Sequence, residues 1–166
     1  MATYNIDDSN SGSGASFSNT QNVVANNDTI TWTVGGFVDG EDLSKSDTVP
    51  QAIVDKINFV LPAVKDAFQL ALKNDVNIAF GTDSGVSRHG VNAREFELMV
   101  DYGMDNETAL KTATINAAKL LGLDSQIGTI TVGKTADIIA IKGNPLKDIA
   151  VMHDVVMVVK GGKQYK

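Results

Sequence analysis

The stretch from Ile53 to Gly85 restricts the fold more than any other part of the chain. Ile53, Ile57, Val60, Leu61, Val64, Phe68 and Leu72 recur at helical spacing. Asn74-Asp75 ends that helix, and Val76-Asn-Ile-Ala-Phe80 reads as a short apolar strand. Gly81-Thr-Asp-Ser-Gly85 then supplies a turn at the strand's C-terminal end. A long helix feeding a short buried strand is the pattern of an α/β fold with parallel strands. Thr48 and Gln51 bracket the helix start, Pro50 falls in its first turn, and Pro62 is expected to kink or split it.

Two further helices follow the turn. The first has Asn92 as expected N-cap, Glu95 three residues on as its capping-box partner, and Val91 and Phe96 at staple positions. The second has Asp105 as its cap and ends before Gly122. Beyond it the apolar period falls to two. Ile127–Ile130, Ala136–Ile141 and Val155–Lys160 are predicted as strands, with Gly161-Gly162 turning the last into Lys163-Gln-Tyr-Lys.

Upstream the composition is different. Residues 1–28 are rich in Ser, Asn, Gly and Asp, which bury too little apolar surface to offset ordering entropy. Thr29–Val34 alternates apolar and polar residues before Gly35-Gly36, a hairpin signal with Ile30, Trp32 and Val34 on one face. Asp39-Gly-Glu-Asp42 is expected to close it. Residues 1–44 hold six acids and no bases, whereas the remaining 14 acids balance all 14 Lys and Arg. The net charge of −6 therefore belongs to one segment, and no basic stripe points to nucleic acid. Cysteine is absent, which excludes disulfides and Cys-based zinc sites. No apolar run reaches membrane-spanning length, and the N-terminus lacks a signal-peptide pattern, leaving the cytoplasm as the default compartment.

Asp83 is the residue most suited to chemistry. It follows a strand, lies between Gly81 and Gly85, and has Arg88, His89 and Asn92 close behind. In parallel α/β folds, catalytic groups project from the C-terminal ends of strands. A carboxylate there could ligate a divalent metal or take a proton from water. An Asx turn, in which Asp83 bonds only its own backbone, explains the local residues equally well. His153, between two strands, reads as a structural or surface residue.

From Gly81-Thr-Asp-Ser-Gly through His89-Gly90, Asn92 and Glu95-Phe96, the sequence resembles the amidohydrolase superfamily. More narrowly, it looks like the Xaa-Pro dipeptidase (prolidase-like) and imidazolonepropionase-related branch. The likeness continues through Tyr102-Gly-Met104, Asn116-Ala-Ala-Lys-Leu-Leu-Gly122, Ile127–Ile139, Lys142-Gly-Asn-Pro145 and Val159-Lys-Gly-Gly162. It implies an α/β architecture: a partial (β/α)8 barrel, comprising its last strand and the helices after it, plus C-terminal strands of a small β-sandwich. The expected divisions are an acidic tail over 1–45, a barrel portion over 46–126 and sandwich strands over 127–166.

By the same resemblance, Asp83 corresponds to a metal-binding, proton-shuttling aspartate, and Arg88 and His89 to a substrate-shaping loop. The implied reaction is metal-dependent hydrolysis of peptide or amide C–N bonds. The implied cofactor is a divalent metal, zinc first, in the complete enzyme, with none held stably by this chain alone. The family's pattern needs a His-x-His pair, a bridging Lys or Glu and two further histidines. This chain has two histidines in all, His89 and His153. The expected partners are a small peptide or amide substrate once a complementing chain is present, or a second copy of the chain. A non-catalytic assembly module, or a gene fragment of such an enzyme, is the alternative.

Overall fold

Two parallel strands cannot be joined by a tight turn, so the chain between them must cross over, here through helices. A computed structural model describes residues 24–26, 29–34, 37–45, 47–82 and 90–166. In its first sheet, β1 (Val24–Asn26) pairs antiparallel with β2 (Thr29–Val34), which runs parallel to β3 (Asn77–Phe80). The register sets Val34 opposite Phe80, so both parallel strands finish at one level.

Residues 29–44 depart from the sequence expectation. The strand over 29–34 pairs with β1 before it and β3 far downstream. The chain then enters helix α1 (Phe37–Ser44) instead of the expected turn. Phe37–Ser44 is poor in strong helix formers, so tertiary contacts must hold it. Gly40 is one reason it fits: a Cβ there would lie 3.2 Å from Leu61 Cδ1 of α2 (Gln51–Lys73). Helix α2 runs unbroken through Pro62 and buries Val54, Ile57, Phe68 and Ala71. That burial outweighs the roughly 3 kcal/mol cost of an interior proline. Its N-cap is Pro50, just outside the first turn.

Helix α3 (Arg94–Asp101) and α4 (Asn106–Lys111) follow β3; a π-helical stretch, Thr112–Asn116, then continues α4 into α5 (Ala117–Leu120). Asp105 caps α4 as expected, accepting from the Thr108 backbone N–H at 2.9 Å and its hydroxyl at 2.6 Å. The core joins Phe68 and Ala71 of α2, Ile78 of β3, Phe96, Leu98 and Met99 of α3, and Tyr102, Met104, Ala109 and Ile149. Among the described residues, no helix is long and apolar enough to cross a membrane.

The second sheet is an antiparallel meander of β4 (Ile138–Ile141), β5 (Val155–Lys160) and β6 (Lys163–Gln164). Gly161 and Gly162 make its last turn with φ of 57° and 79°, which the two-residue hairpin requires. The strand expected over Ile127–Ile130 is absent: this stretch is loop. Lys134 accounts for that, because its ammonium donates to the carbonyls of Asp124 (2.5 Å) and Ile127 (3.2 Å) and gathers the loop around itself. His153 ends a short 3₁₀ helix (Ile149–His153) and meets Glu97 of α3 at 2.5 Å, a structural contact as expected.

One buried carboxylate ties the helices together. Glu41 of α1 accepts from the Tyr102 hydroxyl at 2.6 Å and pairs with Lys65 of α2 at 2.6 Å and Lys45 at 3.0 Å. Lys65 also lies 4.7 Å from the centre of the Tyr102 ring. The bonds from Lys65 and Tyr102 outweigh burial and lower the Glu41 carboxyl to about 2. Burial and the Glu41 contact push the Tyr102 phenol above its ordinary range. Because the folded value of Glu41 lies below the unfolded one, its stabilisation is present above about pH 4.5 and lost as pH falls toward 2. At ~1.4 kcal/mol per unit, the upper bound is about 3 kcal/mol. Glu41→Gln should cost about 2 kcal/mol at pH 7 and flatten stability between pH 4.5 and 2, as read by urea unfolding at several pH values. An unchanged acid limb would assign that pH dependence to other groups.

Candidate functional site

The C-terminal end of β3 is where the described structure and the sequence motif meet. Ile78 and Ala79 are buried at 2% and 1% exposure, and Thr82, the last described residue before Asp83, is buried too. Asp83, Arg88 and His89 lie outside the described residues. What the structure gives is the support on either side of them.

Asn92 supplies the first contact. The helix after the turn does not start at Asn92: its N-cap is Ala93, with no side-chain cap. The N–H groups of Arg94, Glu95 and Phe96 bond instead to the carbonyls of Val91, Asn92 and Ala93, so a side-chain cap is unnecessary. The freed Asn92 amide donates to the Thr82 hydroxyl at 3.0 Å. Glu95, expected to fold back over the helix start, is fully buried. Phe96 beside it packs on Phe80 with ring centres 4.5 Å apart.

The second contact comes from the π-helical stretch. Asn116 donates from its amide to the Ile78 carbonyl at 2.9 Å, across 38 residues of sequence. The wider π turn is accompanied by Thr112 and Thr114 bonding back to the carbonyls of Ala109 and Leu110 at 2.6 and 2.8 Å. A π stretch inside a helix commonly marks a site under functional constraint. Nothing in the apolar period of 105–121 announces it; the one clue is a polar Asn amid Ala and Leu. A pocket of about 360 Å³ opens at the other end of the strand, lined by Asp75, Asn77, Ile78, Asp105 and Asn116 among others. It lies away from the Thr82 end.

Metal chemistry has a defined test here. Among the described residues, no three His, Cys, Asp or Glu side chains come together to hold a metal ion. The described donor set does not fit a metal by itself, and no catalytic step through one follows from it.

Comparison with known proteins decides the family. The model of the amidohydrolase family matches residues 25–165. The chain belongs to the amidohydrolase family. The match takes in β2 and both helices of the crossover, upstream of the Gly81 motif. Ochratoxinase of Aspergillus niger is 40% identical over 105 residues, covering 60% of this chain and 22% of that protein. In its crystal structure, ochratoxinase superposes on this amidohydrolase chain with a TM-score of 0.68, covering 82% of this chain and 32% of that one. A Xaa-Pro dipeptidase crystallised with methionine in its active site gives 0.70 at 44% identity, over 76% of this chain and 32% of that one. A 5-methylthioadenosine/S-adenosylhomocysteine deaminase of Teredinibacter turnerae is 36% identical over 91 residues, 49% of this chain and 20% of that protein. The chain thus spans about a fifth of these curated relatives' length and a third of the solved chains. Metal dependence is general in the family.

The π stretch rests on Gly128. A Cβ there would stand 2.6 Å from Ala118 Cβ and 3.1 Å from the Thr114 carbonyl oxygen, and φ is +90°. Gly133 has nearly the same φ, +92°, with nothing within 4 Å of its Cβ position. Gly133→Ala should therefore cost only the left-handed backbone, about 1 kcal/mol. Gly128→Ala should cost roughly 2–4 kcal/mol, since backbone must move as well. Denaturant titration compares the two; equal losses would mean the loop is not pressed on the helix.

Proposed function

We propose that this chain is the C-terminal portion of a metal-dependent, dipeptidase-like hydrolase of C–N bonds. The observation that carries this reading is 44% identity to a Xaa-Pro dipeptidase over three quarters of the chain, within a family match over residues 25–165. On this reading β2 and β3 are neighbouring strands of a (β/α)8 barrel, and β4–β6 belong to the small sandwich beside it. Asp83 emerges at the catalytic end of its strand, as barrel enzymes require. Its carboxylate takes a proton from the attacking water and returns it to the leaving amine nitrogen. Arg88 and His89 contact the substrate, a small peptide or amide. Zinc or a similar divalent ion supplies the activation of water when bound, held mainly by histidines that lie on polypeptide outside these residues.

The exposed surface supports a need for more protein. Residues of β4 and β5 are nowhere fully buried, although both strands are almost wholly apolar. Ile139 and Val156 remain 49% and 55% exposed, and Phe59 of α2 85%. Exposed apolar side chains of this kind are compatible with an interface. They equally suit a second reading, an assembly module that binds another copy and catalyses nothing.

Co-expression with the N-terminal two thirds of a Xaa-Pro dipeptidase separates these readings. Restored cleavage of a Xaa-Pro dipeptide, reduced about 10²–10⁴-fold by Asp83→Asn, is expected for the hydrolase. A folded homo-oligomer by light scattering, with no turnover in any such mixture, would replace it with the assembly module.

A further inference from the structure

We propose that the outward face of α2 is a dimer seam, on which a second copy of this chain docks its own α2 antiparallel. Ala52, Lys56, Phe59, Ala63, Asp66 and Leu70 form this face, and all six are exposed, Phe59 by 85% and Leu70 by 61%. The face points away from Val54, Ile57 and Phe68, which α2 buries against its own protomer. The six residues follow one another at intervals of four, three, four, three and four. That alternation keeps side chains in line along one side of a helix, as in the seam of a two-stranded coil. From Ala52 to Leu70 the seam is about 27 Å long.

The order of the residues identifies the occupant. They fall in pairs equidistant from Leu61: Phe59 and Ala63 two residues either side, Lys56 and Asp66 five, Ala52 and Leu70 nine. A copy turned about a two-fold axis beside Leu61 therefore sets each residue opposite its pair mate, which is the self-complementarity a symmetric dimer needs. Each Phe59 ring enters the space left at the partner's Ala63, each Leu70 does the same at Ala52, and Lys56 and Asp66 make two ion pairs across the contact. Burial of Phe59, wholly available in the single protomer, supplies the main attraction. A parallel copy would instead set Lys56 against Lys56 and Asp66 against Asp66, and would crowd one Phe59 on the other. The face thus fits this chain, reversed, better than an arbitrary apolar helix. None of the six residues belongs to the Gly81–His89 motif, so the inference does not rest on the hydrolase reading.

Sedimentation equilibrium on the full chain measures the dimer dissociation constant. Lys56→Glu and Asp66→Lys each replace two attractions by two repulsions and should raise that constant about tenfold or more. Lys56→Glu leaves only acids at the two positions and Asp66→Lys only bases, so an equimolar mixture of the two variants should dimerise again, as should the double variant. Phe59→Ala should weaken the dimer about a hundredfold. All three side chains are exposed, so each variant should unfold as the parent protomer does. A parent chain that stays monomeric at the highest concentration it tolerates would overturn the proposal. So would a dimer indifferent to these changes, which would place the contact on β4 and β5. Phe59→Lys blocking complementation by the N-terminal dipeptidase portion, with the parent chain monomeric throughout, would assign the face to that polypeptide and overturn it too.

Discussion

A four-residue strand with a parallel partner on one side has to be held by something other than its own ladder. Strand β3 forms few sheet hydrogen bonds, and parallel pairing is slightly weaker per residue than antiparallel pairing. Its position comes instead from being packed between helices: Ile78 and Ala79 are sealed in, and Phe80 leans on Phe96. Burial resists leaving the core but is non-directional, so it does not by itself stop a short strand from sliding or rotating. Directional contacts do that. Two side-chain amides, Asn116 at Ile78 and Asn92 at Thr82, reach the strand and its exit from opposite sides.

Much of this fold is legible in sequence where local and tertiary forces agree. The periodicity of Ile53–Leu72, the Asp105 cap and the Gly161-Gly162 turn each specify structure through neighbours a few residues away. The misreadings fall where distant contacts prevail. Phe37–Ser44 carries an aspartate and a glycine inside a helix that α2 and Tyr102 hold in place. Pro62 stays inside α2 because four buried residues resist dividing it. Ile127–Ile130 alternates like a strand, yet the Lys134 ammonium draws its backbone into a loop. Asn92 satisfies the spacing of a capping box, but its side chain has a better-placed acceptor ten residues upstream.

The candidate site divides in the same way. Asp83 is conspicuous from its place after a strand and between glycines. Neither Asn116 nor Glu41 can be found so, since each acts through a partner 38 or 61 residues away. Glu41 in particular looks like one acid among several in an acidic segment. Its neighbours make it different: with Lys65, Lys45 and Tyr102 around it, one carboxylate joins α1 to α2 and to the end of α3. The crossover helices are thereby fixed to the helix that follows β3, which keeps β2 beside β3.

These supports bear on how a portion of an enzyme can retain a site's geometry. A metal centre needs several donors, and catalytic zinc sites usually draw three from the protein. Such donors come from strand ends that a single parallel pair does not provide. Orientation of one carboxylate is a smaller demand. The described residues supply a fixed strand exit, through Asn116 at Ile78 and Asn92 at Thr82. Holding the strand exit and assembling a metal site are therefore separable: the first is local to the described residues, while the second needs donors that they do not bring together.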